Sequence, residues 1–146
     1  MDYENPWLWN GTPFREEHIS NSFGFVYIIQ NKITNKKYIG KKFFYSTNRV
    51  VQKGKTRRKV IRKFSDWKKY YGSSKSLKED VELYGKGSFS RTILSLHVSR
   101  GDVNYYEMKE QVIRDVLNSE EYYNDNILSR WYRKKNKTVS LFSIQE

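Results

Sequence analysis

Cysteine is absent from this chain of 146 residues, so no disulfide can staple it and no thiolate zinc site can form. Proline occurs only as Pro6 and Pro13, both near the start. Histidine is equally scarce, and neither His18 nor His97 is spaced from a carboxylate in a metal-ligating pattern. Acidic residues number 16 against 28 Lys and Arg, with no D-x-D and no paired acids along a strand pattern. That argues against a carboxylate-rich two-metal site. No apolar run approaches the ~18 residues of a membrane span, and no charged-then-apolar leader opens the chain. The expectation is therefore a cytoplasmic, intracellular protein. Helix-turn-helix and zinc-finger signatures are missing as well. The Gly85-Lys86-Gly87 step lacks the strand-before, helix-after setting of a nucleotide loop.

What the chain does hold is aromatic and basic. Tyrosine occurs 12 times, and the formal net charge is +12. Such an excess on one domain-sized chain points to a polyanionic partner. The charge is clustered. Between Arg49 and Lys63 lie Lys53, Lys55, Arg57, Arg58, Lys59 and Arg62, with no acid until Asp66. A second group is Arg130, Arg133, Lys134, Lys135 and Lys137. Lysines and arginines so grouped suit phosphate contacts, which give affinity and salt dependence without reading sequence.

Residues 1–20 show aromatics without a period and read as an arm that packs them on the body or on a partner. Gly24 to Gln30 and Lys37 to Lys42 read as two strands joined by an Asn-rich turn, a β-hairpin. The stretch 43–67 reads as a basic insertion, an extended hairpin or a loop that orders on nucleic acid. Ser76 and Glu79 form a capping-box pattern for a helix carrying Leu77, Val81 and Tyr84 and ending at Gly85. Phe89 to Val98 reads as a third strand. A second helix is predicted from Val103 to about Leu117, with Tyr105, Met108, Val112 and Val116 on one face. Thr138 to Ile144 is a candidate last strand. This order fits an α+β domain, a small antiparallel sheet flanked by helices. The division expected is an arm (1–20), a body (21–126) and a basic tail (127–146).

Hairpin pairing can bring Tyr27 and Tyr38 near each other on one face. With Phe25-Val26-Tyr27 and Tyr38-Ile39-Gly40 on its strands, the hairpin resembles that of the GIY-YIG nucleases. Tyr70 to Leu94 is similar to a segment of free-standing phage homing endonucleases in that superfamily. There a Tyr-Gly-Ser step opens a helix ending in Tyr-Gly, and a Phe-containing strand follows. The family then supplies a glutamate on a later helix and a Tyr-Asn pair, here Glu107 and Tyr123-Asn124.

The resemblance implies a metal-dependent endonuclease that hydrolyses phosphodiesters of duplex or branched DNA. Glu107 would ligate one Mg²⁺ or Mn²⁺, with Glu110 a turn away as its competitor. Tyr27 and Tyr38 would position phosphate and water. Proton acceptance by either phenol would need a pKa lowered by Lys41, Lys42 and the metal. Gly40 would leave room for close approach, and Asn124 would be a structural turn residue by the site. The chain departs from the family at the cation. Eight residues past Gly40 stands Asn48 rather than arginine, and a frequent histidine is replaced by Lys42. Lys42 is the first choice for the cation, Arg49 the second, and Arg57, Arg58 and Arg62 the third. Lys41, Lys53, Lys55, Lys59 and Lys63 join that arginine trio as candidate DNA contacts. A binding module of the same fold without catalysis is the alternative. A homodimer or a partner protein is left open as the source of specificity.

Overall fold

The run from Phe25 to Ile29 is wholly β-branched or aromatic, the composition of a strand covered on both faces. In the computed structural model it lies in an interior strand of a five-stranded sheet. The structure describes residues 3–51, 53–54 and 58–134, and of 48–50 and 58–61 the backbone alone. In chain order the elements are β1 (Leu8–Trp9), β2 (Thr12–Pro13), β3 (Gly24–Asn31), β4 (Lys37–Phe43), β5 (Tyr45–Val51) and β6 (Arg58–Phe64). Then come α1 (Lys75–Tyr84), β7 (Phe89–His97), α2 (Arg100–Ile113), β8 (Asn126–Ile127) and β9 (Trp131–Tyr132). The main sheet runs β2-β1-β7-β3-β4, so β4 is an edge strand. The expected α+β architecture is borne out, with one short parallel pairing, Leu8 with Thr92, added by the arm.

Alternation along β3 and β4 splits the core between the two faces of the sheet. One face carries Phe25, Tyr27, Ile29 and Tyr38, packed with Trp7, Phe14, Phe44, Trp67 and Leu77. The other carries Val26 and Ile39 against Val116, Ile127 and Met108. The arm's aromatics do pack on the body: Trp7 and Phe14 are fully buried. Arg91 holds the arm there, donating to the backbone carbonyls of Glu4 and Asn5 and, from the other side, of Tyr70. Its guanidinium lies over the Trp7 and Tyr71 rings, so the buried charge is fully engaged.

Several predicted boundaries move. The cap of α1 is Ser74, not Ser76: its hydroxyl accepts from Leu77 N, and Ser76 instead shares a hydrogen bond with Ser74 Oγ. Helix α2 starts at Arg100, capped by Ser99, and ends at Ile113 rather than near Leu117. Tyr105 and Val112, expected to share one face with Met108 and Val116, are exposed, while Val103, Gln111 and Val116 are buried. The insertion is a two-stranded ribbon, β5 paired with β6. On it the Tyr45 ring stacks against Phe64 and under the Arg62 guanidinium, 3.6 Å from the ring centre. Arg133, counted with the basic cluster, turns inward and donates to the carbonyls of Val116, Ser119, Tyr122 and Asn124. The candidate strand Thr138 to Ile144 lies outside the described residues. Among those described, no helix is long and apolar enough to cross a membrane.

Candidate active site

The turn between β3 and β4 is set by Asn31, whose side-chain oxygen accepts from Ile33 N and Thr34 N, and by Asn35 at φ +66°. That turn fixes a register in which Tyr27 faces Gly40 and Ile29 faces Tyr38. The two tyrosines are therefore diagonal neighbours, their ring centroids 6.2 Å apart. Gly40 is required by this arrangement. A Cβ there would press on the Tyr27 hydroxyl, 2.6 Å from Tyr27 Cζ and 2.8 Å from Tyr38 Cε2. Gly72 does the same from the other side. It sits at φ +88°, and its absent side chain leaves room for Leu77 and the Tyr38 ring.

Both phenols are acids held neutral. Burial, reinforced by Tyr38, Tyr70 and Glu107 nearby, raises Tyr27 well above the ordinary tyrosine value. Burial pushes Tyr38 up to about 12, although its hydrogen bond with Ser73 Oγ at 3.0 Å works the other way. The shift is opposite to the lowering that proton acceptance would need. At neutral pH both groups are hydrogen-bond donors.

Around the exposed edge of β4 the other face of the sheet contributes. The segment after α2 runs along that edge: Lys37 N donates to Glu121 O, and Tyr123 N to Lys37 O. Asn124 continues the pairing with its side chain, accepting from Ile39 N at 3.1 Å and donating to Ile39 O at 2.8 Å. Tyr38, between those two residues, is thereby fixed. Asn124 thus closes the backbone hydrogen bonds of the edge strand.

Beyond this edge lies a cavity of about 300 Å³ whose lining includes Tyr38, Lys41, Ser73, Glu107, Gln111 and Asn124. Glu107 enters from α2 with its side chain 14% exposed, and Lys41 Nζ stands 3.9 Å from its carboxylate. Lys41 also donates to Asn104 Oδ1. Burial raises the Glu107 carboxyl to about 6 against the pull of Lys41. Glu110, the rival carboxylate, is instead bonded to Arg114 at 3.0 Å. Among the described residues no group of three or more His, Cys, Asp and Glu could hold a metal. One carboxylate, with neutral oxygens beside it, suits a hard ion that keeps most of its waters.

The remaining predicted residues are placed elsewhere. Tyr27 packs beneath Tyr38 and does not line the cavity. Lys42 is on the tyrosine face, its Nζ 4.0 Å from the Tyr70 ring centre and 2.6 Å from Asp66 Oδ1. Together with Lys41, Tyr45, Tyr70 and Arg100 it lines a neighbouring cavity of about 420 Å³. Arg49 belongs to β5, and Arg58 and Lys59 to β6. Lys53 near the ribbon tip and Arg62 and Lys63 on β6 are exposed. Lys55 and Arg57 lie outside the described residues. Sequence reasoning missed Ser73, Arg100 and Gln111. The i+4 spacing of Gln111 from Glu107 was the available signal for the last.

Comparison with known proteins places the chain among its relatives. Residues 7–127 match the family described as "Putative endonuclease segE, GIY-YIG domain". "Putative endonuclease segE" of Enterobacteria phage T4 is 31% identical over 102 residues, covering 70% of this chain and 40% of that protein. The chain thus matches less than half the length of this curated relative. No solved structure matches. The family match spans the tyrosine hairpin, the Glu107 helix and the Asn124 clamp alike, and the chain belongs to the GIY-YIG endonuclease family.

Proposed function

We propose that this protein hydrolyses DNA phosphodiester bonds at the cavity beside β4, with one divalent ion, Mg²⁺ or Mn²⁺, held by Glu107. The observation that carries the reading is the meeting of Tyr38, Lys41 and Glu107 on one cavity beside the sheet edge that Asn124 closes. When bound, the ion would neutralise phosphate charge and lower the pKa of a water molecule. Glu107 suits the role of its carboxylate ligand because it is largely enclosed, its side chain 14% exposed, and not committed to a bidentate partner. Lys41, beside Glu107 on this cavity, would neutralise a non-bridging phosphate oxygen as charge builds in the transition state. Tyr38, kept protonated by burial, would donate its hydroxyl hydrogen to a phosphate oxygen or to the attacking water. Ser73, bonded to that hydroxyl, would fix its direction. Tyr27 acts underneath, as the buried support that sets the Tyr38 ring.

Lys42 and Arg100 line the adjoining cavity, where they would receive phosphates flanking the scissile one. The β5–β6 ribbon would extend the track, since a two-stranded ribbon fits the major groove and Lys53, Arg62 and Lys63 are exposed on it. A second copy or a partner protein would supply a second-strand cut. The test is nicking of supercoiled plasmid with Mg²⁺, Mn²⁺ or EDTA, by the wild type and by Glu107→Ala. Metal-dependent nicking abolished by the substitution is expected. Firm DNA retention without nicking in any metal would favour a binding module instead.

A further inference from the structure

Among the described residues one buried side-chain polar atom has no hydrogen-bond partner, Gln111 Oε1. Gln111 is 4% exposed and lines the same cavity as Glu107. An unpaired buried carbonyl of this kind gives up its hydration for nothing, so its retention calls for a cause.

The orientation of the amide is determined by its neighbours. Gln111 Nε2 donates to Ile39 O at 3.1 Å, and the same carbonyl accepts from Asn124 Nδ2 at 2.8 Å. Turning the amide over would set oxygen against oxygen. The nitrogen must face the strand, and the oxygen must face away from it. Glu107 stands one helical turn earlier on α2. Residues at i and i+4 share a helix face, a spacing from which two side chains can hold one metal ion. Lys41, the cation beside Glu107, is already engaged with Asn104. A carboxylate oxygen and a neutral carbonyl oxygen, one turn apart, match the preferences of a hard divalent cation.

Resting on the nuclease reading above, we propose that Gln111 Oε1 is a second protein ligand, beside Glu107, of the divalent cation. Through Nε2 the same side chain ties that ion to Ile39, the residue between Tyr38 and Gly40. The ion's position would thus be referenced to the tyrosine strand by one amide, with an edge-strand carbonyl as the outer partner.

The full chain, without DNA, is titrated with Mn²⁺, reading free ion by electron paramagnetic resonance and bound water by proton relaxation. Gln111→Met, close in volume and without the oxygen, should weaken Mn²⁺ binding by about tenfold and add about one water to the bound ion. Gln111→His provides an independent arm, since one ring nitrogen can donate to Ile39 O while the other faces the cation. Its Co²⁺ affinity should exceed that of the wild type by about tenfold or more, because imidazole suits that ion. Unchanged Mn²⁺ affinity and hydration in Gln111→Met would mean that a water alone satisfies the carbonyl, and would overturn the proposal. If Gln111→Met does not fold, the absence of a Co²⁺ gain in Gln111→His overturns it equally. Glu107→Ala separates the two levels. Binding lost in Glu107→Ala but untouched at Gln111 sinks this inference alone; wild-type binding that is absent, or indifferent to Glu107, sinks the metal site itself.

Discussion

Replacing Gly40 by alanine is the sharpest single perturbation of the tyrosine pair. The added Cβ would stand 2.6 Å from Tyr27 Cζ and 2.8 Å from Tyr38 Cε2. Reaching the 3.4 Å of ordinary contact asks the Tyr27 ring to retreat by about 0.8 Å. Tyr27 has no room to do so. It is 1% exposed, with Trp7 at 4.9 Å and Phe25 at 5.9 Å between ring centres. Overpacking of this kind costs about 1–3 kcal/mol, which for a chain of this size lowers Tm by roughly 2–10 °C. Activity should suffer more, because a displacement near 1 Å at a reacting group can cost about 100-fold. Thermal unfolding followed by circular dichroism and single-turnover plasmid nicking read the two effects. Gly87→Ala is the control, since a Cβ there meets nothing within 4 Å. A Gly40→Ala protein as stable and as active as the control would refute the claim that this glycine makes room for both rings.

Other outcomes follow from the same geometry. Lys41→Ala should lower kcat by about 10²–10³, whereas Lys42→Ala, removing a group outside the Glu107 cavity, should chiefly weaken DNA binding; equal losses of kcat would contradict the assignment. Asn124→Ala strips Ile39 N and O of one partner each and should destabilise the fold by about 2–3 kcal/mol, read as a shift in urea midpoint. Tyr38 is raised to about 12 in the folded chain, from an ordinary value of 10.0. Its neutral form is favoured by folding, so that stability is full below about pH 10 and is lost as pH climbs through 12. Phenolate absorbance should show late-titrating tyrosines, Tyr27 and Tyr123 among them with Tyr38, and Tyr38→Phe should remove only the Tyr38 share of that loss. Arg62→Ala combined with Lys63→Ala should lower the slope of log affinity against log salt by about 2 if both touch phosphate.

The hairpin was legible in sequence because its strands are long, its β-formers dense, and its turn made by asparagines with a defined chemistry. The second helix was legible in existence but not in orientation. Its apolar stripe through Tyr105 and Val112 points outward, and the sheet is faced by Val103, Glu107, Met108 and Gln111. Binary patterning fails there for a physical reason: the helix lends polar side chains to a cavity where packing alone would call for apolar ones. The arm's strands, two residues each, are too short to show any period. Lys41 and Lys42 cannot be told apart by composition. Strand alternation sends one to Glu107 and the other to Tyr70, and that distinction needs the register.

The central claim is that Tyr38 and Glu107 act on one phosphate in one cavity. A double-mutant cycle tests it most directly, with single-turnover DNA cleavage measured for wild type, Tyr38→Phe, Glu107→Gln and the pair. Groups serving one transition state lose together, so the double variant should be little slower than the worse single one. Losses that multiply in full would show two independent contributions and contradict the shared site.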